Sequence, residues 1–239
     1  MPMLEGKGVT RYFGGLAAVS KVNFNVERGE IVGLIGPNGA GKTTLFNLIS
    51  AALSTQQGVI TFKDTKITGM RPHQICKLGI ARTFQSVKIF PNLSVMGNAA
   101  LGALFGTSSR ISSSIATKEA EEVLDFVGLT ALKNTLAKDL TLVNQKRVEV
   151  ARALATGPEL LLLDELMAGL NHTEISESME MVSRIRDEGI TILMIEHVMK
   201  AIMSICDRII VLHHGETIAE GTPEEVSTSE KVIEVYLGE

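Results

Sequence analysis

The chain has 239 residues, of which 45% are hydrophobic and 21% charged, a composition typical of a folded globular protein rather than a disordered one. Its net charge of −4 supplies no basic excess to neutralise phosphates, which argues against direct binding of nucleic acid or anionic lipid. No apolar run reaches the roughly 18 residues of a spanning helix. Cys76 and Cys206 lack the paired spacing of a zinc or redox site. We therefore expect one large domain or two small ones, neither secreted nor inserted in a membrane.

Apolar runs bounded by turn residues alternate with stretches of helical periodicity, which predicts an α/β fold with a parallel sheet and crossover helices. The predicted strands of this sheet are Ile31–Ile35, Ala81–Phe84, Leu160–Leu163, Ile190–Ile195 and Arg208–Leu212. The first residues and Gly58–Lys66 predict short strands of a smaller antiparallel sheet.

Strand signals disappear between Gln85 and Leu154, where two amphipathic segments, Val95–Leu104 and Lys118–Val127, flank a polar stretch, Gly106–Ser114. We interpret this region as a helical insertion with an exposed linker. The predicted domains are a nucleotide-binding core of residues 1–85 and 155–239 and a helical subdomain of residues 86–154.

A further helix is predicted over Asn171–Arg186, capped by Asn171 or Thr173. Its buried face is expected to carry four residues at helical spacing. These are Ile175, Met179, Val182 and Ile185.

A glycine-rich segment between the strand Ile31–Ile35 and the helical stretch Leu45–Ser50 has the pattern and context of a phosphate-binding loop. Its residues are Gly36, Pro37, Asn38, Gly39, Ala40, Gly41, Lys42, Thr43 and Thr44. The glycines let backbone N–H groups turn inward at a helix N-terminus and form an anion site. Lys42 is expected to contact the β- and γ-phosphates, and the Thr43 hydroxyl to bind magnesium. The sequence therefore predicts binding of a nucleoside triphosphate.

Two carboxylates, Asp164 and Glu165, follow the apolar run Leu160–Leu163. A buried strand would deliver them to its C-terminal edge, where ligands bind in open parallel sheets. Asp164 is expected to hold magnesium, and Glu165 to orient or deprotonate the attacking water. A GTPase is disfavoured because no guanine-reading Asn-Lys-x-Asp motif follows.

With these two motifs in order, the chain resembles the ATP-binding cassette (ABC) family along essentially its whole length. Arg82-Thr83-Phe84-Gln85 resembles the Q-loop, which implies that Gln85 contacts magnesium. The resemblance implies that His197, after Thr191–Glu196, contacts the γ-phosphate. It also implies that Phe13 stacks on adenine, with Tyr12 as the alternative, and that Ala168–Asn171 forms the D-loop at a dimer seam.

Looser motifs resemble the ATPase subunits of importers of branched-chain amino acids, among them Arg82–Gln85 and the ending from Ala219 to Gly238. The resemblance implies ATP and Mg²⁺ as cofactors, a second ABC ATPase subunit and membrane-spanning permease subunits as partners, and a cytoplasmic position peripheral to the inner face of the cell membrane. It leaves open whether the pair is a homodimer or a heterodimer.

The family signature Leu-Ser-Gly-Gly-Gln is altered, because Thr141, Leu142, Val143 and Asn144 follow Leu140 where serine, two glycines and glutamine are expected. In the family this segment contacts the ATP of the opposite subunit. Thr141 can still cap a helix, whereas Val143 obstructs close approach and makes a positive φ costly. We hypothesise an asymmetric dimer in which the site that uses these residues is slower. Leu166 and Met167 stand where the family usually has a proline, which puts the D-loop geometry in question.

Two other functions are compatible with the motifs: a soluble ABC ATPase without a transporter, and a regulatory module with little turnover. The first usually has two cassettes or long basic insertions, and neither occurs in this sequence. Retention of Glu165 and His197 disfavours the second.

Overall fold

The computed structural model describes residues 1–106 and 111–237. They divide into two compact units, one formed by Met1–Pro72 with Ser183–Glu239 and the other by His73–Val182. The predicted domains, a nucleotide-binding core and a helical subdomain, were defined by function rather than by compactness, and this division stays a prediction. The predicted linker and the C-terminal motif fall in part on residues 107–110 and 238–239, which lie outside the described residues.

The described residues contain strands and helices in alternating order. The strands are β1 (Leu4–Phe13), β2 (Leu16–Val26), β3 (Ile31–Ile35), β4 (Gln57–Phe62), β5 (Thr65–Lys66), β6 (Ile80–Arg82), β7 (Leu160–Asp164), β8 (Thr191–Ile195), β9 (Arg208–His213) and β10 (Glu216–Gly221). The α-helices are α1 (Lys42–Ile49), α2 (Pro72–Lys77), α3 (Val95–Gly106), α4 (Ser113–Phe126), α5 (Leu142–Leu154), α6 (His172–Asp187), α7 (Met199–Ile205), α8 (Pro223–Ser227) and α9 (Glu230–Leu237).

The first unit contains the predicted antiparallel sheet, with strand order β2-β1-β4-β5. β1 has 10 residues, so the prediction of a short strand at the start of the chain is wrong, and β2, with 11 residues, was not predicted. They pair from Leu4 opposite Val26 to Phe13 opposite Leu16. The long pairing holds Phe13 at the tip of a tight hairpin.

The first unit also contains β10, β9, β3 and β8, which are neighbours in that order. β3 pairs in parallel with both β8 and β9, and β10 pairs with β9 in antiparallel fashion. Every residue of β3 and β8 is buried, as expected of parallel strands covered on both faces. The predicted strands are confirmed to within two residues, although Ile190 precedes β8.

In the second unit β6 and β7 pair in parallel. β6 ends at Arg82, two residues earlier than predicted, but the backbone N–H of Thr83 still donates to the carbonyl oxygen of Leu162 at 2.9 Å. Ladder geometry therefore continues as far as Thr83.

The predicted helical region is confirmed, since the described residues between 85 and 154 form helices and no strand. Small residues on α3 allow close packing: a Cβ on Gly102 would lie 2.2 Å from the carbonyl oxygen of Arg152, and one on Gly106 would lie 2.3 Å from the Cα of Thr156. α4 begins earlier than predicted, because the hydroxyl of Ser112 accepts the N–H of Ile115 and caps the helix.

Asn171 caps α6, as one of the two predicted alternatives. Its side-chain oxygen accepts the N–H groups of Thr173 and Glu174, both at 3.0 Å. The Glu174 carboxylate in turn accepts the N–H of Asn171 at 2.9 Å. This reciprocal pattern fixes where the helix starts.

Across residues 1–106 and 111–237, every helix is too short or too polar to cross a membrane.

Candidate functional site

The predicted phosphate loop joins the C-terminal end of β3 to α1. Three of its glycines have positive φ angles: 146° at Gly36, 78° at Gly39 and 104° at Gly41. Side-chain-bearing residues rarely adopt such angles. α1 begins at Lys42, earlier than the predicted Leu45, so the loop leads directly into a helix N-terminus, where partial positive charge favours an anion. Exposed Asn38, Gly39 and Thr43 give solvent access to the loop.

The Lys42 side chain is buried inside this loop. Its Nζ donates to the carbonyl oxygens of Gly36 at 2.5 Å and Pro37 at 2.9 Å. These bonds anchor a single positive charge among the loop residues, where a phosphate would be held.

Two of the glycines are required sterically as well as conformationally. A Cβ on Gly36 would lie 2.1 Å from the carbonyl oxygen of Leu212, and a Cβ on Gly41 would lie 2.3 Å from that of Ala18. Real Cβ atoms do not approach backbone oxygens this closely, so the loop is seated against β9 and β2 in a way that only glycine permits.

Both aromatic candidates for adenine stacking are accessible at the end of β1. Phe13 is 47% exposed, and the Arg11 guanidinium lies 5.2 Å from its ring centroid. Tyr12 is 39% exposed. Exposure does not separate the two residues, and the role of Phe13 stays a prediction.

His197 is an exposed side chain two residues beyond the end of β8. Glu196, between the strand and the histidine, is buried. β8 thus delivers His197 to its C-terminal edge as expected, and contact with a γ-phosphate stays a prediction.

Asp164 is held from two sides by the last residue of β6, Arg82, and by Thr83, which follows it. Its Oδ2 accepts from Nη2 of Arg82 at 2.9 Å, in an ion pair whose side chains are only 8% and 1% exposed. Its backbone N–H donates to the hydroxyl of Thr83 at 3.1 Å. The carboxylate therefore has a fixed orientation.

Gln85 and Glu165, 80 residues apart in sequence, meet in the structure. Nε2 of Gln85 donates to Oε2 of Glu165 at 3.0 Å. Glu165 has a φ of 52°, a conformation that costs a non-glycine residue roughly 1–2 kcal/mol. The predicted Q-loop residue and the predicted catalytic carboxylate are thus direct neighbours in the second unit.

Comparison with known proteins identifies the protein family to which the chain belongs. The sequence model described as ABC transporter matches residues 19–168, which is more than half of the chain. The chain belongs to the ABC transporter family. It is an ATP-binding and ATP-hydrolysing member, with the α/β fold of ABC ATPases.

A second family model, described as branched-chain amino acid ATP-binding cassette transporter, matches residues 216–239. The high-affinity branched-chain amino acid transport ATP-binding protein BraF of Pseudomonas aeruginosa is 40% identical over 100% of this chain and 98% of its own length. Among solved structures, the ADP conformation of an ATP-binding cassette of an ABC transporter is 31% identical, with a TM-score of 0.91 and full coverage of both chains. The dimeric structure of a bacterial ABC transporter cassette is 28% identical, with a TM-score of 0.84 over 92% of this chain and 99% of that one.

The residues in place of the ABC signature form the start of α5. Thr141 occupies the N-cap position, as predicted, but its hydroxyl makes no capping hydrogen bond. Thr141 is exposed, and nearby Nε2 of Gln145 donates to the carbonyl oxygen of Leu140 at 3.1 Å. Leu142 and Val143 lie in the helix, and neither has a positive φ. The backbone here therefore does not require the missing glycines.

The loop that contains the predicted D-loop is well packed despite its missing proline. Leu166 and Met167 are buried, with exposures of 5% and 1%. Gly169 has a φ of 78°, and a Cβ there would lie 3.3 Å from Cδ2 of Leu142. The two buried apolar side chains anchor this loop in the absence of a proline.

Sequence reasoning missed two buried charged residues on α5, Lys146 and Glu149, and gave no role to Arg82. The sequence did contain a signal. Lys146 lies four residues before the apolar Val150 and Glu149 directly before it, in a stretch that helical periodicity assigns to the core. Charged residues rarely occupy such positions unless they are paired.

Proposed function

We propose that this chain is the ATP-hydrolysing subunit of an importer of branched-chain amino acids. Full-length identity of 40% to BraF and the C-terminal family match support the cargo class. The observation that carries the catalytic part is the contact between Gln85 and Glu165, next to the fixed carboxylate of Asp164. This contact supports the proposed roles of Gln85 as a sensor and Glu165 as a base.

The phosphate loop is proposed to bind the triphosphate of ATP. Backbone N–H groups of Gly36–Thr44 and the Lys42 ammonium would contact its β- and γ-phosphates. Phe13 would stack on the adenine. The positive-φ glycines support this role because they let the backbone come close to a bulky anion.

Glu165 is proposed to orient and deprotonate the attacking water. The amide of Gln85 orients the carboxylate by donating to its Oε2. His197 would contact the γ-phosphate and stabilise the charge that develops on it.

Mg²⁺ is the proposed cofactor, and the proposed ligands fit it chemically. They are the Thr43 hydroxyl, the Gln85 amide oxygen and the Asp164 carboxylate, all of them oxygen donors. No cluster of three His, Cys, Asp or Glu side chains able to hold a metal occurs in the described part of the chain. This suits an ion held largely by nucleotide phosphates. When bound, Mg²⁺ neutralises phosphate charge during transfer.

We propose that two copies of this chain, or this chain and an unlike ABC ATPase subunit, close on two ATP molecules. The dimeric form of a similar cassette supports such a pair. The residues Thr141–Asn144 would contact the partner's ATP. Permease subunits would receive the motion through residues 86–154 and hold the chain at the cytoplasmic face of the membrane. In a pair with an unlike subunit, the altered signature supports a slower site where Thr141–Asn144 contact the partner's ATP.

The test uses the complete transporter in proteoliposomes. Glu165→Gln is expected to abolish steady-state ATP hydrolysis and branched-chain amino-acid uptake while ATP stays bound in a closed dimer. Glu177→Gln, an exposed carboxylate on α6, is the matched control. Unchanged turnover in Glu165→Gln would contradict the catalytic assignment, and hydrolysis without amino-acid uptake would contradict the cargo.

A further inference from the structure

We propose that Lys146 and Glu149 are positioning residues that hold the loops of Glu165 and Gln85 on one face of α5. The roles given to Glu165 and Gln85 rest on the proposed function. The two charged side chains are three residues apart, so they lie on the same side of the helix. Both are nearly inaccessible, with exposures of 6% and 3%.

Lys146 binds the loop after β7 through its carbonyl groups. Its Nζ donates to the carbonyl oxygens of Glu165 at 3.0 Å, Leu166 at 2.9 Å and Ala168 at 2.7 Å. An ammonium has three N–H donors in a compact geometry, which suits three converging carbonyls. A residue in a sparsely populated conformation persists only where its surroundings fix it. Lys146 thus fixes the backbone from which the Glu165 carboxylate projects.

Glu149 binds the other loop through its amide groups. Its Oε1 accepts the backbone N–H of Lys88 at 3.0 Å, and its carboxylate also bonds to the backbone of Phe84. These two residues bracket Gln85. Glu149 therefore holds both ends of the short loop that carries the Gln85 side chain.

Stability alone does not account for the Glu149 carboxylate. Burial raises the pKa of Glu149, and the bonds to Lys88 and Phe84 and the charges of Arg152 and Lys146 offset this only in part. A folded-state pKa above the unfolded one means that the ionised form weakens folding at neutral pH. What the carboxylate supplies is a defined geometry for the loop.

The two anchored loops touch each other through Gln85 and Glu165. α5, the loop of Gln85 and the loop of Glu165 therefore form a closed set of contacts within the second unit. α5 begins at the residues in place of the ABC signature. A shift of that end of α5, when a nucleotide bound by a partner subunit engages it, is transmitted by Lys146 and Glu149 to the chain's own catalytic residues.

The experiment compares Lys146→Met and Glu149→Gln with Arg147→Met. Arg147 is the neighbouring cation on α5, and its ion pair with Glu177 is partly exposed. In the full chain without nucleotide, hydrogen exchange is expected to rise about tenfold or more over residues 165–171 in Lys146→Met and over residues 84–90 in Glu149→Gln. Arg147→Met should change neither segment. Exchange that stays at the wild-type rate, or rises equally throughout residues 73–182, overturns the proposal.

Kinetics of the assembled transporter supply the second measurement. We expect Lys146→Met and Glu149→Gln to lower kcat about 10- to 100-fold with KM for ATP changed less than about threefold, because misplacement impairs chemistry more than binding. Lys146→Arg should restore only part of the kcat, since it retains a charged donor but not the compact geometry of the ammonium. Equal effects on kcat and KM overturn the proposal. A wild-type complex without ATPase activity contradicts the proposed function instead, and hydrogen exchange still tests the two anchors.

Discussion

Replacing Arg82 by methionine tests how firmly Asp164 is held. Nη2 of Arg82 lies 2.9 Å from Oδ2 of Asp164, and the two side chains are 8% and 1% exposed. Removing one partner of a buried ion pair typically costs about 3–5 kcal/mol, because it leaves an uncompensated buried charge. For a chain of this length, each kcal/mol lowers the melting temperature by roughly 2–4 °C. Arg82→Met should therefore lower it by about 6–20 °C.

The assay is thermal unfolding of the nucleotide-free chain, followed by circular dichroism. Its control is Arg186→Met, which removes the ion pairs of Arg186 with Asp187 and Asp207, whose three side chains are 33%, 64% and 48% exposed, and should cost about 1 kcal/mol or less. The double variant Arg82→Met/Asp164→Asn should melt above Arg82→Met alone, since it no longer buries a carboxylate that has lost the charge of Arg82. The reasoning is refuted if Arg82→Met melts within about 2 °C of the wild type, or if the double variant is the least stable.

Three further predictions concern other parts of the chain. Gly36→Ala should abolish ATP binding, measured by titration with a fluorescent ATP analogue, because its Cβ would collide with the carbonyl oxygen of Leu212; wild-type affinity would contradict the described seating of the loop. Phe13→Ala should weaken ATP binding by about 1–3 kcal/mol if its ring stacks on adenine, whereas a larger loss in Tyr12→Ala would assign the stacking to Tyr12. Burial raises the pKa of Cys206 from 9.0 to about 12. The contribution of the neutral thiol to the free energy of unfolding is therefore complete below pH 9 and is lost as pH rises towards 12. At pH 8 only about one Cys206 in ten thousand is a thiolate, and rapid alkylation by iodoacetamide without unfolding would contradict this.

Local pattern was sufficient for the phosphate loop. The glycines of Gly36–Thr44 and the apolar run Ile31–Ile35 depend only on nearby sequence, and both elements occur where predicted. The cap of α6 was also predictable, because Asn171 bonds to residues two and three positions away. Each of these features has its cause within one turn or one strand.

Long-range contacts were not predictable in the same way. Arg82 reaches Asp164 across 82 residues, and Glu149 reaches Lys88 across 61. No periodicity specifies which charged residue pairs with which at such separations. At Thr141 the sequence indicated the N-cap position correctly, but the hydroxyl makes no capping hydrogen bond there.

In α5, the residues that would face a partner's nucleotide are distinct from the residues that hold the loops of Glu165 and Gln85. The residues that differ from the family signature end at Asn144, and the first anchor of the catalytic loops is Lys146. Lys146 and Glu149 lie inside a continuous helix that runs from Leu142 to Leu154. Loss of the glycines therefore changes the surface offered to a partner's nucleotide, while the bonds from Lys146 to the loop of Glu165 stay in place. In a pair with an unlike subunit, we expect slower hydrolysis at the site that uses Thr141–Asn144. We expect a smaller effect at the site of this chain's own Glu165, which depends on the altered start of α5 only through the shift that Lys146 and Glu149 transmit.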